Sequence, residues 1–352
     1  MTGFWNNKRV FLTGHTGFKG SWLNLWLKEL GANVFGYALE PEPDALLFQQ
    51  LNLANESGHF IGNVLDREIF NLKVIEARPD VIIHLAAQPL VRRSYRESIE
   101  TWQTNVIGTI HLLEAIKNIK HECSVIIVTT DKVYENLNRN YAYKEEDRLG
   151  GNDPYSSSKS AAELAVNSWR SSFFKDDSNI KIATVRAGNV IGGGDWSEDR
   201  IVPDLVRALI RGEKFSIRNP KSVRPWQHVL DPLSGYLLLA ERLYSCPEES
   251  LEGAYNFGPD DEGVRTVQQL VDEAHKTWSG EFCDNNNLDS QLHEEKLLSL
   301  DISKSKKNLS WSPRWGFEKS VHETISWYSL VNSGSSPLKT TLNQLDKYSE
   351  LL

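Results

Sequence analysis

What the 352-residue chain lacks narrows its class first. It has three cysteines, Cys123, Cys246 and Cys283, too few and too far apart for a disulfide framework or a Cys-x-x-Cys metal knuckle. That usage fits a reducing cytoplasm, and no metal site is expected. No stretch approaches the roughly 18 apolar residues that span a bilayer. The opening MTGFWNNKRVFLTG also lacks a basic segment followed by a long apolar one. A soluble, untargeted chain with no membrane partner is expected. Basic residues are outnumbered, 39 against 47 acidic, for a net charge of -8. A broad positive surface of the kind that neutralises a phosphate backbone is not expected, which argues against nucleic acid as a partner. Internal repeats and low-complexity segments are missing too.

What is present is ordinary globular material, 40% hydrophobic and 24% charged. The length exceeds the roughly 250 to 300 residues at which single cores stop growing, so two domains are expected. Strand-like runs at 9–13, 33–38, 58–62, 80–86, 124–129 and 180–186 alternate with amphipathic stretches such as 21–30 and 104–119. That alternation is the pattern of βαβ units. Val81-Ile82-Ile83 and Val125-Ile126-Ile127-Val128 are continuous apolar runs, as parallel strands covered on both faces require. The fold class read from this is α/β: a Rossmann-type doubly wound parallel sheet with a smaller, mixed α/β substrate-binding lobe. Residues 1–186 would form the dinucleotide domain, with 227–258 returning to it. Residues 187–226 and 259–352 would form the lobe, with shorter helices at 203–212 and 266–278; a further helix at 233–243 falls in the returning stretch. From 334 onward the chain is polar and reads as an irregular, loosely held tail.

The first strand runs into Gly14-His15-Thr16-Gly17-Phe18-Lys19-Gly20 and then a helix. Glycines three apart permit a tight turn, close approach of backbone N–H groups to a pyrophosphate, and close packing of helix on strand. The spacing is GxxGxxG rather than GxGxxG, a departure from the commonest dinucleotide fingerprint. No Lys or Arg lies between Lys28 and Arg67, which disfavours a ribose 2′-phosphate and makes NAD rather than NADP the expected cofactor. Glu40 follows the second strand as a ribose candidate, though late. Asn63-Val64-Leu65-Asp66 follows the third strand, where the adenine edge would lie; a plain turn with Asp66 as N-cap reads equally well.

Asp153-Pro154 opens a helix that places Tyr155 and Lys159 four apart on one face. A phenol acts as a base only after losing its proton, and a nearby ammonium stabilises the phenolate. Alone, this pair is common on amphipathic helices. Its coincidence with Thr129-Thr130-Asp131-Lys132-Val133-Tyr134 at the carboxyl end of a buried strand, where ligands bind in open parallel sheets, favours chemistry over a structural salt bridge.

Taken in order, GHTGFKGSWL (14–23), HLAAQPLVRRSY (84–95), TTDKVY (129–134), PYSSSK (154–159), RAGNVIGGGDW (186–196) and RPWQHVLDP (224–232) resemble the extended short-chain dehydrogenase/reductase family. Within it they resemble the nucleotide-sugar 4,6-dehydratases, up to about Tyr328. The resemblance implies a cofactor site of Gly14, Thr16, Gly17, Phe18, Lys19, Gly20, Asn63, Val64, Leu85, Ala86, Ala87, Gln88, Asn105, Thr129, Tyr155 and Lys159, in which Asn105 would steady the active-site helix. It implies a substrate site of Gln88, Asn189, Arg200, Val202 and Arg224, with Asn189 and Arg224 on the pyrophosphate. Thr130, Asp131, Lys132, Tyr155 and Lys159 would be catalytic. Asn189 as a turn cap and Arg224 paired with a surface carboxylate are the plain alternatives.

The family reaction oxidises C4 of the sugar, eliminates water across C5 and C6, and returns the hydride to C6, so NAD is bound tightly and regenerated. Tyr155 would take the 4-OH proton, Thr130 would orient that oxygen, and Asp131 would protonate the leaving 6-OH, a role that burial assists. Members that act on dTDP-glucose carry Asp-Glu where this chain has Asp131-Lys132; those that act on CDP-glucose carry the lysine, which makes CDP-glucose the implied substrate. Lys132 acts either as a neutral C5 base or as a charged stabiliser of the enolate. Thr130 and Val133 replace the Ser and Cys of the TSDKCY form and leave the reacting groups intact. The family also implies a homodimer or dimer of dimers, a cytoplasmic setting, and a place in deoxysugar and O-antigen biosynthesis. Two rivals stay open: a 4-epimerase, which needs no Asp131-Lys132 pair, and a non-catalytic protein that binds a nucleotide cofactor.

Overall fold

The computed structural model describes residues 3–55, 58–137, 139, 141–175, 178–217, 219–246, 249–284 and 298–352, with the side chains of Asn55, Phe282, Cys283 and Asp284 outside that description. Its centre is a seven-stranded sheet formed by β1 (Arg9–Thr13), β2 (Asn33–Ala38), β3 (His59–Ile61), β4 (Val81–His84), β5 (Cys123–Val128), β6 (Ile180–Arg186) and β7 (Gly253–Asn256). The spatial order is β7-β6-β5-β4-β1-β2-β3 and every neighbouring pair is parallel. The order reverses between β1 and β4, which opens a crevice at the strand carboxyl ends where an open α/β sheet takes its ligand.

Continuous apolar strands produce this sheet because helices cover both faces. Val125, Ile126 and Ile127 are all buried: Ile126 packs with the cluster holding Trp22 and Trp26 of α1 (Phe18–Glu29), and its neighbours with the cluster holding Phe70 and Val74 of α2 (Arg67–Ala77). Each such side chain contributes about 1.5 to 3 kcal/mol by leaving water. Later helices are α3 (Val91–Arg96), α4 (Gly108–Ile116), α5 (Pro154–Phe173), α6 (Ile201–Arg211), α7 (Leu230–Ser245), α8 (Val267–Thr277), α9 (Phe317–Asn332) and α10 (Pro337–Ser349). Beside the main sheet, Phe215–Ile217 pairs in parallel with Phe282–Asp284, and Val223–Pro225 pairs antiparallel with Val264–Thr266. No helix among the described residues is long and apolar enough to cross a membrane.

Three expectations need correction. The stretch from 334 is not an irregular tail: Ser336 caps α10, Pro337 takes its first turn, and Tyr348 is fully buried against Trp26 and Trp315. The stretch 104–119 is not one uniform helix, because a π turn at Gln103–Ile107 precedes α4. The strand expected to reach residue 86 stops at His84, where Leu85 and Ala86 turn their N–H groups onto Thr13 Oγ1, each at 3.1 Å.

Candidate active site

The glycine turn is tight in a way only glycine permits. Gly14 has φ +69°, and a Cβ there would fall 2.7 Å from Ala86 N. A Cβ at Gly20 would fall 2.1 Å from Gly14 O, so the third glycine lets α1 close onto the turn. Gly17 occupies the N-cap of α1 with no side chain to satisfy the first N–H groups. Those free donors and the helix dipole make an anion seat.

From this turn one cavity of about 840 Å³ runs along the strand ends. At one end lie Leu39, Glu40, Asn63 and Val64; at the middle, Thr130, Asp131, Lys132, Tyr155 and Lys159; at the far end, Asn189, Arg200, Val202, Phe215 and Arg224. Residues that are distant in sequence therefore share one wall. Asn63 Oδ1 accepts from Leu65 N at 2.9 Å, which fixes the turn after β3. Asp66 stands at the N-cap of α2 without a side-chain cap bond.

The centre is set by β5 and α5. After Val128 the chain stays extended through Thr130, whose hydroxyl donates to Asp131 Oδ1 at 2.9 Å and accepts from Lys132 N at 3.4 Å. Asp131 is buried, and its Oδ2 has no hydrogen-bond partner among the described residues. A Cβ at position 188 would come within 1.8 Å of that oxygen, so Gly188 makes the room Asp131 occupies. Asp153 caps α5 through Ser156 N at 2.9 Å, and Ser94 Oγ accepts from Tyr155 N at 3.2 Å. Lys159 Nζ donates to Val128 O at 3.0 Å, which ties the helix to the end of β5. One turn on, Glu163 takes Thr129 Oγ1 at 2.6 Å and Arg186 Nε at 2.8 Å.

Enclosure alters the titrations here. Burial pushes the Tyr155 phenol up to about 12, with the neighbouring Thr130 hydroxyl pulling the other way. Burial lowers Lys159 to about 8, against the attraction of Glu163. Lys19 points into the same space; burial and then the Arg200 charge lower it to about 7, while Asp131 supports its charged form.

Two expected site residues are not on the cavity wall. Gln88 is buried with its amide turned inward: Nε2 donates to Thr101 Oγ1 at 2.8 Å and Oε1 accepts from Leu90 N at 2.6 Å. Asn105 lies behind it in the π turn, accepting from Gln88 N at 2.9 Å and donating to Ser158 Oγ at 2.9 Å. It braces α5 from behind. Thr129 does line the cavity while its hydroxyl faces Glu163. Asn189 holds φ +45°, and its Oδ1 is buried without a partner among the described residues. Sequence reasoning missed Glu42, Arg92, Arg93, Asp195 and Glu198, which also line the cavity. The Arg-Arg pair inside HLAAQPLVRRSY and the Asp of GGGDW were the available signals.

A parallel sheet with a glycine turn at its reversal point and a Tyr-Lys pair beside it defines a dinucleotide-binding class of α/β enzyme. The chain belongs to the GDP-mannose 4,6 dehydratase family, whose model matches residues 11–324. It is 44% identical to the CDP-glucose 4,6-dehydratase of Salmonella typhimurium over 98% of this chain and 97% of that one. A dTDP-glucose 4,6-dehydratase of Haemophilus influenzae is 28% identical over 76% of this chain and 83% of its own. Among solved structures, the dTDP-glucose 4,6-dehydratase of Bacillus anthracis in complex with NAD superposes with a TM-score of 0.74 at 22% identity, covering 94% of this chain and 99% of that one.

Proposed function

We propose that the protein converts CDP-glucose to CDP-4-keto-6-deoxyglucose and water. The observation that carries this reading is the 44% identity, over nearly the whole of both chains, to a CDP-glucose 4,6-dehydratase, with Asp131-Lys132 buried or half-buried beside Thr130 and Tyr155. NAD is the cofactor that fits. The cradle at Gly14, Gly17 and Gly20 admits a pyrophosphate, and Glu40 lies on the wall where a ribose would sit. Bound there, it would accept the hydride from C4 and give it back at C6.

The chain's own groups supply the rest. Tyr155 takes the proton of the sugar 4-OH and Thr130 orients that oxygen. The C4 ketone acidifies C5; a base on the C5 side takes the C5 proton while the 6-OH leaves as water with a proton from Asp131, and C5 takes a proton back when the hydride returns to C6. Lys132 serves the C5 side of this elimination. Arg200, Arg224 and Asn189 bind the nucleotide diphosphate, and the lobe of 187–226 with 259–352 forms that half of the site. Exposed Ile99, Trp102, Leu164 and Phe173 on the helical face support pairing of two copies. The free thiols of Cys123 and Cys246 suit a reducing cytoplasm.

Incubation with CDP-glucose and NAD tests the reading directly. The expected result is the alkaline ultraviolet absorbance of a 4-keto sugar, stronger with CDP-glucose than with dTDP- or UDP-glucose. A new sugar without that absorbance would mean an epimerase, and no change in the sugar would mean a binding protein.

A further inference from the structure

The arginines of HLAAQPLVRRSY have no part in the chemistry above, yet they organise the mouth of the cavity. Arg93 on α3 reaches in two directions. Toward the turn after β2 it grips Glu42 with both terminal nitrogens, Nη2 to Oε2 at 3.0 Å and Nη1 to Oε1. Toward the loop before α6, its Nε donates to Glu198 Oε1 at 3.1 Å. Arg96 adds a second bond to Glu198 at 2.7 Å, and Arg92 meets Asp199 at 3.4 Å. Glu42, Arg93 and Glu198 all line the same cavity as the glycine turn and Tyr155.

The loop that carries Glu198 is anchored at its base. Tyr328 donates to Asp195 O at 2.6 Å, and the Asp195 carboxylate holds Ser197 Oγ at 2.6 Å and Arg200 Nη1 at 2.9 Å. The Arg200 charge is felt at Tyr155. A chain of contacts therefore spans the cleft, from Glu42 at the Glu40 end, through Arg93 and Glu198, to Arg200 at the far end. Its two ends belong to segments more than 150 residues apart.

We propose that Glu42, Arg93 and Glu198 form a strap across the dinucleotide cleft, which must open for the cofactor to exchange and which an occupied sugar-nucleotide site holds shut through Arg200. The inference rests on the reading of this cleft as a dinucleotide site. The physical case is one of strength and position. The side chain of Glu42 is 61% exposed and that of Glu198 43%, so each pair alone is weak and opens readily. The forked Arg93–Glu42 contact gives the closed state a definite geometry. Attraction to Arg93 holds the Glu42 carboxyl below the usual carboxylate range, consistent with a pair that stays ionised at neutral pH. A nucleotide diphosphate that engages Arg200 would stiffen its loop and so favour the closed strap, which links the two ligands in affinity.

The test measures release of NADH by its fluorescence, after mixing the loaded full-length protein with excess NAD. Glu42→Gln is the variant, since an exposed glutamate can be neutralised without harm to the core. Release is expected to quicken about threefold to tenfold, the range a few weak ion pairs give. CDP should slow release from the wild type and lose most of that effect in Glu42→Gln. Salt at about 1 M, where the Debye length is about 3 Å, should quicken the wild type more than the variant. Equal release rates with an equal CDP effect in both proteins would overturn the strap. Failure of the wild type to bind NADH at all would instead overturn the dinucleotide reading, and the strap with it; thermal unfolding of both proteins separates these outcomes from misfolding.

Discussion

Tyr155 and Lys159 stand one turn apart on α5, and burial moves their titrations in opposite directions, the phenol up to about 12 and the ammonium down to about 8. At neutral pH the phenol keeps its proton until another positive charge enters the cavity and stabilises the phenolate. The pair is therefore poised for a cationic cofactor. Tyr155→Phe is expected to lower turnover of CDP-glucose by at least about 100-fold while leaving NADH binding intact. Lys132→Ala should keep C4 oxidation and lose elimination. Exchange of solvent deuterium into C5 then divides the roles: abolished exchange marks Lys132 as the base, slowed exchange marks it as an electrostatic stabiliser, and normal turnover removes it from the reaction. At this scale the sequence was most legible, because Thr130, Asp131, Tyr155 and Lys159 follow from a strand end and a helical spacing. Gln88 was not, since nothing local says whether an amide after a strand turns toward the cleft or toward Thr101.

The elements were legible where their periodicity was strong. β1, β2 and β6 fall where the apolar runs put them, the other strand ends differ by the one or two residues over which such ends fray, and α1 and α7 each start three residues earlier than expected. α10 was overlooked because its composition is polar. A narrow stripe of Leu338, Leu342, Leu345 and Tyr348, at helical spacing behind Ser336-Pro337, carries it. Tyr348 ends that stripe with its hydroxyl donating to buried Asp231 at 2.7 Å, in the turn that opens α7. Tyr348→Phe leaves the ring packing and removes one of two hydrogen bonds to Asp231 Oδ1, which still accepts from Arg314 N at 2.7 Å. It should cost about 0.5 to 1.5 kcal/mol in urea unfolding, whereas an unchanged midpoint would show that α10 docks by its apolar stripe alone. The π turn around Asn105 also escaped a pattern of apolar residues, because the bonds of that amide to the Gln88 backbone and Ser158 join segments far apart.

At the scale of the whole molecule, three imidazoles among the described residues are buried, His15, His84 and His228, each lowered by burial to about 3. An unfolded histidine titrates near 6.5, so between about pH 6.5 and 3 the unfolded chain binds more protons than the native one. Stability must then fall as pH falls through that window, by at most about 1.4 kcal/mol per pH unit for each imidazole. Asp231 works the other way: its pKa is raised by burial to about 6, so the native state holds its proton between about 4 and 6 and offsets one of the three. The urea midpoint is expected to drop between pH 7 and pH 5. A flat profile would show that these rings take up protons inside the fold.

By itself the sequence determined the parallel α/β sheet, the glycine seat and the Thr-Asp-Lys with Tyr-Lys constellation. Each of these is written in local terms, as the period of apolar residues, the freedom of glycine, or the four-residue step of a helix. Only the tertiary structure decided that Gln88 turns its amide away from the cleft, that Gly188 makes room for Asp131, that the last helix closes over Trp26, and that Glu42, Arg93 and Glu198 meet across the cleft. These depend on contacts between segments tens to hundreds of residues apart, and such contacts leave no period in the chain for a reader to find.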